Sequence, residues 1–162
     1  MKGRVALVTG ASSGIGRATA LRLGEAGVIV IAVGRNQAEL GHLRDEAHTV
    51  NATVKPHLAD VTEPSHIDRL VTDTVDAHGR IDILVNAAGI IKNGSIEDTT
   101  LADWDKMMNV NLRSIFYLTQ KCVPHLVASK GNIVNVSSVT GLRAFPGVLA
   151  YCVSKAGTDQ LT

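Results

Sequence analysis

Two kinds of apolar pattern alternate along the chain. Short continuous apolar runs predict strands that are buried on both faces, and they occupy residues 5–8, 28–33, 54–58, 83–85 and 133–136. Longer stretches with helical spacing lie between them, at residues 15–26, 38–48, 62–78, 100–129 and from 149 onward. We expect Pro124 to kink or break the fourth of these helices. Strands that alternate with helices predict an α/β fold, a Rossmann-type doubly wound parallel sheet.

Composition narrows the class of protein. The 162 residues contain no internal repeat and no linker, so we predict one domain over residues 1–162. The net charge is +1 without a basic run, which disfavours a nucleic-acid partner, so we predict none. No apolar run reaches the ~20 residues of a membrane span, and the first strand leaves no room for a signal peptide. With only two cysteines, Cys122 and Cys152, we expect a cytoplasmic protein without a disulfide framework.

The histidines give no sign of a metal site. Six are present, and none has the close pairing with a second ligand that typical zinc motifs show. We therefore predict no bound metal.

A glycine-rich loop follows the first apolar run and opens the first predicted helix. Gly10 suits a sharp turn off the strand, Gly14 suits a close approach of backbone to a ligand, and Gly16 suits tight helix packing. A strand, such a loop and a helix form the context of a dinucleotide pyrophosphate site, whereas the alternative is an ordinary strand-to-helix turn. The predicted cofactor-binding residues of this loop are Gly10, Ser12, Ser13, Gly14, Ile15 and Gly16.

Tyr151 and Lys155 are four residues apart in the last predicted helix. At that spacing two side chains share one helix face, so a cationic amine lies beside a phenol. A nearby positive charge favours the ionised phenolate, which makes tyrosine usable as a proton donor or acceptor near neutral pH. A nucleotide-binding loop together with such a pair predicts redox chemistry on a carbonyl or an alcohol.

These motifs, taken in order, resemble one family. Residues 9–16 and 86–89, with Asn111, Ser138 and the Tyr151 pair, resemble the short-chain dehydrogenase/reductase family in its compact single-domain branch. The overall pattern is most similar to 3-oxoacyl-carrier-protein reductase-like and carbonyl reductase-like members. The resemblance implies an NAD(P)-dependent oxidoreductase that moves a hydride between a nicotinamide and a ketone or secondary alcohol. It also implies a homo-oligomer, either a dimer or a tetramer.

The resemblance assigns the catalytic roles. It makes Tyr151 the acid in reduction and the base in oxidation, while Lys155 holds the nicotinamide ribose and promotes ionisation of the phenol. Both residues also count among the cofactor-binding residues that the resemblance implies. Ser138 stabilises charge on the substrate oxygen, with Ser137 as the alternative. Asn111 holds a water in a proton relay to the lysine, or else is a polar residue that caps a bend.

The resemblance also assigns cofactor contacts beyond the glycine loop. The segment of Asn86, Ala87 and Gly89 stabilises the centre of the sheet and lines the adenosine side, although the family usually has asparagine where Ala87 stands. Asp60 and Val61 resemble the pair that contacts the adenine ring, and Asp60 alternatively is a plain turn residue before a helix.

The second predicted strand ends at Arg35 without a carboxylate. NAD sites usually place Asp or Glu about 20 residues after the glycines, on the ribose 2′-hydroxyl. A guanidinium there can bind a 2′-phosphate through two hydrogen bonds, and the alternative is a solvated arginine at a strand end. We therefore predict NADP(H) as the cofactor, with NAD(H) as the second choice.

The family continues well past the Tyr–Lys pair, whereas this sequence ends at Thr162. The resemblance thus implies an NAD(P)-binding domain that is C-terminally truncated relative to the family. It leaves a competing hypothesis from another class: a catalytically incompetent nucleotide-binding fragment that keeps its association surfaces. A third hypothesis is a nucleotide-sugar epimerase, because such enzymes also use a Tyr-x-x-x-Lys pair. The glycine spacing and the compact size of the chain disfavour it.

Overall fold

Five strands rich in Val, Ile and Leu form one parallel sheet. A computed structural model describes residues 1–162. The sheet has the order β3-β2-β1-β4-β5, with every neighbouring pair parallel. The strands are β1 (Val5–Thr9), β2 (Ile29–Gly34), β3 (Thr53–Leu58), β4 (Ile83–Asn86) and β5 (Asn132–Asn135).

Seven α-helices and one π-helical segment connect and extend the strands. They are α1 (Gly14–Glu25), α2 (Gln37–Thr49), α3 (Pro64–His78), α4 (Leu101–Met108), the π-helical segment (Asn109–Arg113), α5 (Ser114–Ser129), α6 (Val139–Leu142) and α7 (Leu149–Leu161). None of these helices combines the length and the apolar composition that crossing a membrane requires.

The core lies on both faces of the sheet. Successive strand residues point to opposite faces, so Leu7 and Leu84 join one buried cluster with Leu118 of α5. Val8 and Val30 join a second cluster with Leu40 of α2. Helices therefore cover both faces of a parallel sheet, and the predicted doubly wound Rossmann-type fold is confirmed.

The long helix predicted over 100–129 is divided by the π-helical segment, which the pattern did not reveal. Of the kink or break expected at Pro124, the break is wrong, because α5 continues through this residue to Ser129; the kink stays a prediction. Cys122 and Leu126, on either side of the proline, are buried against the sheet. This packing keeps the helix in place although proline donates no hydrogen bond. The short helix α6 was also not predicted.

A buried carboxylate joins the first and fourth strands. Asp82 is 2% exposed, and its Oδ2 accepts a hydrogen bond of 2.8 Å from the backbone N–H of Val5. Arg80 donates to both carboxylate oxygens. Burial alone would raise the pKa of Asp82, but the hydrogen bonds from Arg80 and Val5 hold the pKa below its usual value. The ion pair thus fixes the start of the central strands.

Candidate active site

The carboxyl ends of the strands border a cleft of about 480 Å³. It lies where β1 is flanked by β2 on one side and β4 on the other, so the strand order reverses there. Ligands of open α/β sheets bind at such a switch point. The lining residues are Gly10, Ser12, Ser13, Gly14, Ile15, Gly16, Val33, Gly34, Arg35, Ala59, Asp60, Val61, Ala87, Ala88, Gly89, Ile90 and Val110.

The glycine loop forms one wall of the cleft, and two of its glycines are required by close packing. Gly10 has a φ of 66°, and a Cβ there would lie 2.8 Å from the carbonyl oxygen of Ala87. A Cβ at Gly16 would overlap the carbonyl oxygen of Gly10. Gly14 differs, because its φ is 53° but no atom lies within 4 Å of a Cβ there. Gly14 therefore faces open space at the start of α1.

The N-terminus of α1 has the features of an anion-binding site. Its N-cap residue, Ser13, makes no side-chain capping hydrogen bond, and no acidic residue lies in the first turn. By contrast, Asn36 at the start of α2 accepts a hydrogen bond from the N–H of Glu39. Unsatisfied N–H groups and the helix dipole favour phosphate at such a position. The open glycine, the uncapped helix and the cleft fit a dinucleotide.

Arg35 and Asp60 meet at the far end of the cleft. The Nη1 of Arg35 lies 3.5 Å from Oδ2 of Asp60, and the arginine side chain remains 64% exposed. Burial alone would raise the pKa of Asp60, but hydrogen bonds from Thr62 and the charge of Arg35 hold that pKa below its usual value. A Cβ at Gly34 would be 3.3 Å from Oγ of Ser12, which places this hydroxyl beside the same end of β2.

Thr9 ties the glycine loop to the segment after β4. Its Oγ1 accepts hydrogen bonds of 3.1 Å from the backbone N–H groups of Ala87 and Ala88. Asn86 instead is buried, and its Nδ2 donates to Oδ1 of Asn135 at 2.8 Å. Asn86 therefore stabilises the sheet behind the cleft rather than lining it.

Asn111 lies in the π-helical segment and is completely buried. Its Oδ1 accepts from the N–H of Ile90 at 2.8 Å, and its Nδ2 donates to the carbonyl of Ile90 at 2.8 Å and to Oγ of Ser154 at 3.0 Å. π-helical turns often occur at functional sites. This one fixes the amide against the wall of the cleft.

Tyr151 and Lys155 lie one turn apart on α7, with the Lys155 Nζ 5.7 Å from the centre of the tyrosine ring. Lys155 is only 4% exposed and donates to the carbonyl of Val136 at 2.7 Å. Burial lowers the pKa of Lys155, and the carboxylate of Asp159 offsets part of that effect. A Cβ at Gly89 would lie 3.8 Å from this Nζ and 3.4 Å from Oδ1 of Asn111. The lysine and the asparagine therefore both lie beside Gly89, which lines the cleft.

Two neighbouring serines follow β5 and differ in their hydrogen bonds. Ser138 is the N-cap of α6, and its Oγ accepts from the N–H of Thr140 at 3.2 Å. Ser137 donates its hydroxyl proton to the carbonyl of Lys155 at 3.3 Å. Ser138 therefore keeps its proton available, whereas that of Ser137 is already used.

The structure thus brings the residues of the predicted glycine loop into one cleft with Arg35, Asp60, Val61, Ala87 and Gly89. Asn86, Tyr151 and Lys155, also predicted to bind cofactor, do not line this cleft. The structure contains no cluster of three or more His, Cys, Asp or Glu side chains able to hold a metal ion.

Some lining residues were missed. Gly34 and Ala59 follow from the rule that carboxyl ends of parallel strands meet at one edge. Val110 carries no sequence signal, because its placement depends on the π-helical segment.

Comparison with known proteins identifies the family. The family model described as short chain dehydrogenase matches residues 4–162. The 3-oxoacyl-[acyl-carrier-protein] reductase FabG of Thermotoga maritima is 41% identical over 163 aligned residues, which cover all of this chain and 66% of the relative. The 3beta-hydroxysteroid dehydrogenase of Mediterraneibacter gnavus is 37% identical, with 98% of this chain and 58% of the relative covered.

Comparison with solved structures points to the same family. A metagenomic short-chain oxidoreductase crystallised with NADP has a TM-score of 0.94 and 35% identity, with 99% of this chain and 73% of that chain covered. The chain belongs to the short-chain dehydrogenase/reductase family of oxidoreductases, whose members bind NAD or NADP. It spans about two thirds of the length of the curated relatives that it matches, 66% in the case of the FabG protein.

Proposed function

We propose that this protein is an NADP(H)-dependent oxidoreductase that interconverts a ketone and a secondary alcohol. One observation carries the proposal: the buried Lys155 has its Nζ 5.7 Å from the centre of the Tyr151 ring and lies beside Gly89, a residue of the cleft wall. A buried ammonium beside a phenol is suited to proton transfer. The bound nicotinamide would supply or accept the hydride.

The side chains of the protein divide the remaining chemistry. Tyr151 donates the proton to the carbonyl oxygen in reduction and removes it in oxidation. Ser138 donates its free hydroxyl proton to the same oxygen and stabilises the charge that develops there. We prefer Ser138 to Ser137 because the hydroxyl of Ser137 is bonded to the carbonyl of Lys155. Lys155 favours ionisation of Tyr151 and binds the ribose, and Asn111 supports the relay.

The adenosine end favours NADP(H). No carboxylate follows β2 directly, and Arg35, whose side chain is 64% exposed, lines a surface hollow together with Ser12. Arg35 is paired with Asp60 at 3.5 Å, a long contact that a 2′-phosphate would outcompete because it offers more negative charge. The NADP complex of the metagenomic relative supports this choice.

The substrate class follows from similarity alone. The 41% identity to a 3-oxoacyl-[acyl-carrier-protein] reductase favours a 3-oxoacyl thioester or a related ketone. The competing proposal is a nucleotide-binding chain without turnover, favoured by the fact that this chain spans 66% of that relative.

We also propose that copies of the chain associate through α5 and α7. Phe116 of α5 and Leu161 of α7 remain 50% and 37% exposed, and both line a groove to which the end of α4 and the π-helical segment also contribute. Apolar exposure of this kind marks contact surfaces. Light scattering at several protein concentrations tests this association.

Replacing each of the two tyrosines with phenylalanine tests the function. We expect Tyr151→Phe to abolish NADPH oxidation with acetoacetyl-CoA while NADPH affinity changes little, because the ring volume is kept. Tyr117→Phe is the control, since its hydroxyl bonds Asp68 away from the cleft. Turnover by Tyr151→Phe at the wild-type rate would remove this phenol from the mechanism. NADPH binding without turnover in the wild type, across a carbonyl panel, would favour the competing proposal.

A further inference from the structure

Ser154 lies between the two residues of the Tyr–Lys pair and is completely buried. Its hydroxyl donates to the carbonyl of Tyr151 at 2.8 Å and accepts from Nδ2 of Asn111 at 3.0 Å. One hydroxyl therefore links the start of α7 to the π-helical segment.

The contact completes the hydrogen bonding of the Asn111 amide. Its second Nδ2 proton goes to the carbonyl of Ile90, and its Oδ1 accepts from the N–H of Ile90, both at 2.8 Å. The amide cannot be reversed without losing both bonds to Ile90, so its orientation is fixed. Ile90 lines the cofactor cleft directly after Gly89. Ser154 is thus bonded, through Asn111, to the wall of the cleft.

The hydroxyl of Thr158, one turn further along α7, makes a second contact with the π-helical segment. Thr158 is completely buried, and its Oγ1 lies 3.2 Å from the carbonyl oxygen of Asn111 and 3.0 Å from that of Ser154. Ser154 therefore contacts the side chain of Asn111 and Thr158 its main chain. Both contacts hold the π-helical segment against the helix of Tyr151 and Lys155.

We propose that Ser154 is a positioning residue, which holds Asn111 and the Gly89–Ile90 wall of the cleft in register with Tyr151 and Lys155. The proposal rests on the proposed function. It assigns the serine no contact with substrate or cofactor. Its effect is the alignment of the acid–base pair with the end of the cleft where the nicotinamide would lie.

The alternative is that Ser154 merely bonds its own helix. Thr74 shows what such a residue looks like, since it is buried and donates to the carbonyl of Leu70, in the same helix α3, at 2.7 Å. No hydrogen bond joins the Thr74 hydroxyl to another segment, whereas Ser154 accepts one from Asn111. Thr74→Val, which removes the hydroxyl and keeps the volume, is therefore the matched control for Ser154→Ala.

The first measurement does not depend on activity. In Ser154→Ala the amide of Asn111 loses one partner, so we expect the backbone N–H of Ile90 to exchange with deuterium about tenfold faster. Thr74→Val should leave that exchange rate unchanged. If Ser154→Ala does not fold, Ser154→Cys keeps the volume and replaces the oxygen with a weak acceptor. An Ile90 exchange rate equal to that of the wild type in the folded variant overturns the proposal.

The second measurement separates kcat from binding. With NADPH and acetoacetyl-CoA we expect kcat to fall about tenfold in Ser154→Ala, while the Kd for NADPH stays within about twofold. If Ile90 exchanges faster in Ser154→Ala but kcat is unchanged, the alignment held by Ser154 does not affect turnover, and that part of the proposal is overturned. If the wild type shows no turnover, the proposed function fails, and Ile90 exchange alone decides whether Ser154 holds the cleft wall.

Discussion

Lys155 of α7 donates to the carbonyl of Val136 at 2.7 Å, which joins the helix that carries Tyr151 and Lys155 to the chain just past β5. The ammonium is buried at this position, and burial lowers the pKa of Lys155 while Asp159 offsets part of the effect. The Lys155 ammonium carries three protons, and only one of them is donated to the carbonyl of Val136. The others are available to a ribose or a phenolate.

Replacing this lysine tests both of its roles. In Lys155→Met the chain length is nearly kept and the charge is lost, so we expect weaker NADPH binding and a lower kcat together. Lys121→Met is the control, because Lys121 also lies over a tyrosine ring, 5.1 Å from the centre of Tyr117, but on the outside of α5. Unchanged NADPH affinity in Lys155→Met, measured by fluorescence titration, would contradict a role in binding the ribose.

Cofactor preference is tested at the far end of the cleft. Arg35→Asp removes a partner for the 2′-phosphate and adds an acceptor for a 2′-hydroxyl. A charged hydrogen bond contributes about 1.5–3 kcal/mol, so the ratio of NADPH to NADH affinity should fall about ten- to a hundredfold. Arg44→Asp makes the same change of charge on the exposed surface of α2 and should leave the ratio unchanged. If the ratio of NADPH to NADH affinity is unchanged in Arg35→Asp, the 2′-phosphate is recognised by other residues, for example Ser12 or Ser13.

The open side of the glycine loop gives a third prediction. Gly14 and Gly79 both have positive φ angles, and a Cβ at either has no neighbour within 4 Å. Alanine at each position should lower the free energy of unfolding by a similar ~1–2 kcal/mol. Only Gly14→Ala adds a methyl group to the cleft, so only this variant should also lose NADPH affinity, by about tenfold or more. Equal NADPH affinity of the two variants would show that the cofactor does not approach this part of the loop.

The arrangement of the fold follows from local signals. Runs such as residues 5–8 and 28–33 are apolar throughout, which is typical of strands covered on both faces. Gly79, with a φ of 69°, ends α3 directly after the stretch predicted to be helical over 62–78. The division at Asn109–Arg113 was not predictable, because a π-helical turn depends on tertiary contacts such as those of Asn111 with Ile90. Likewise, α5 continues past Pro124 because Cys122 and Leu126, on either side of it, are buried against the sheet.

The site was predictable where backbone geometry requires a particular residue. Gly10 and Gly16 are glycines because any Cβ would meet the backbone, and such positions stand out in a sequence. Ser154 and Thr158 could not be recognised, since a buried hydroxyl in a helix has no distinguishing pattern. The orientation of Asn86 toward Asn135, away from the cleft, also depends on a contact between distant segments.

Asp82 gives the last prediction, which concerns stability and its dependence on pH. Asp82→Ala leaves the buried N–H of Val5 without an acceptor and Arg80 without a partner, so we expect a loss of about 3 kcal/mol. Asp45→Ala removes an exposed partner of Arg44 and should cost less than about 0.5 kcal/mol.

The sign of the pH effect follows from the direction of the shift. The pKa of Asp82 is lowered in the folded protein, so the unfolded chain takes up the proton first as the pH falls. The stabilisation by the ionised carboxylate is therefore complete above about pH 5 and is lost progressively below the usual aspartate value of about 3.9. Urea unfolding of the wild type and of Asp82→Ala at pH 7, 5 and 3.5 should give a constant difference at the two higher values and a smaller one at the lowest. A difference that grows as the pH falls would show that the buried carboxyl is protonated in the folded protein.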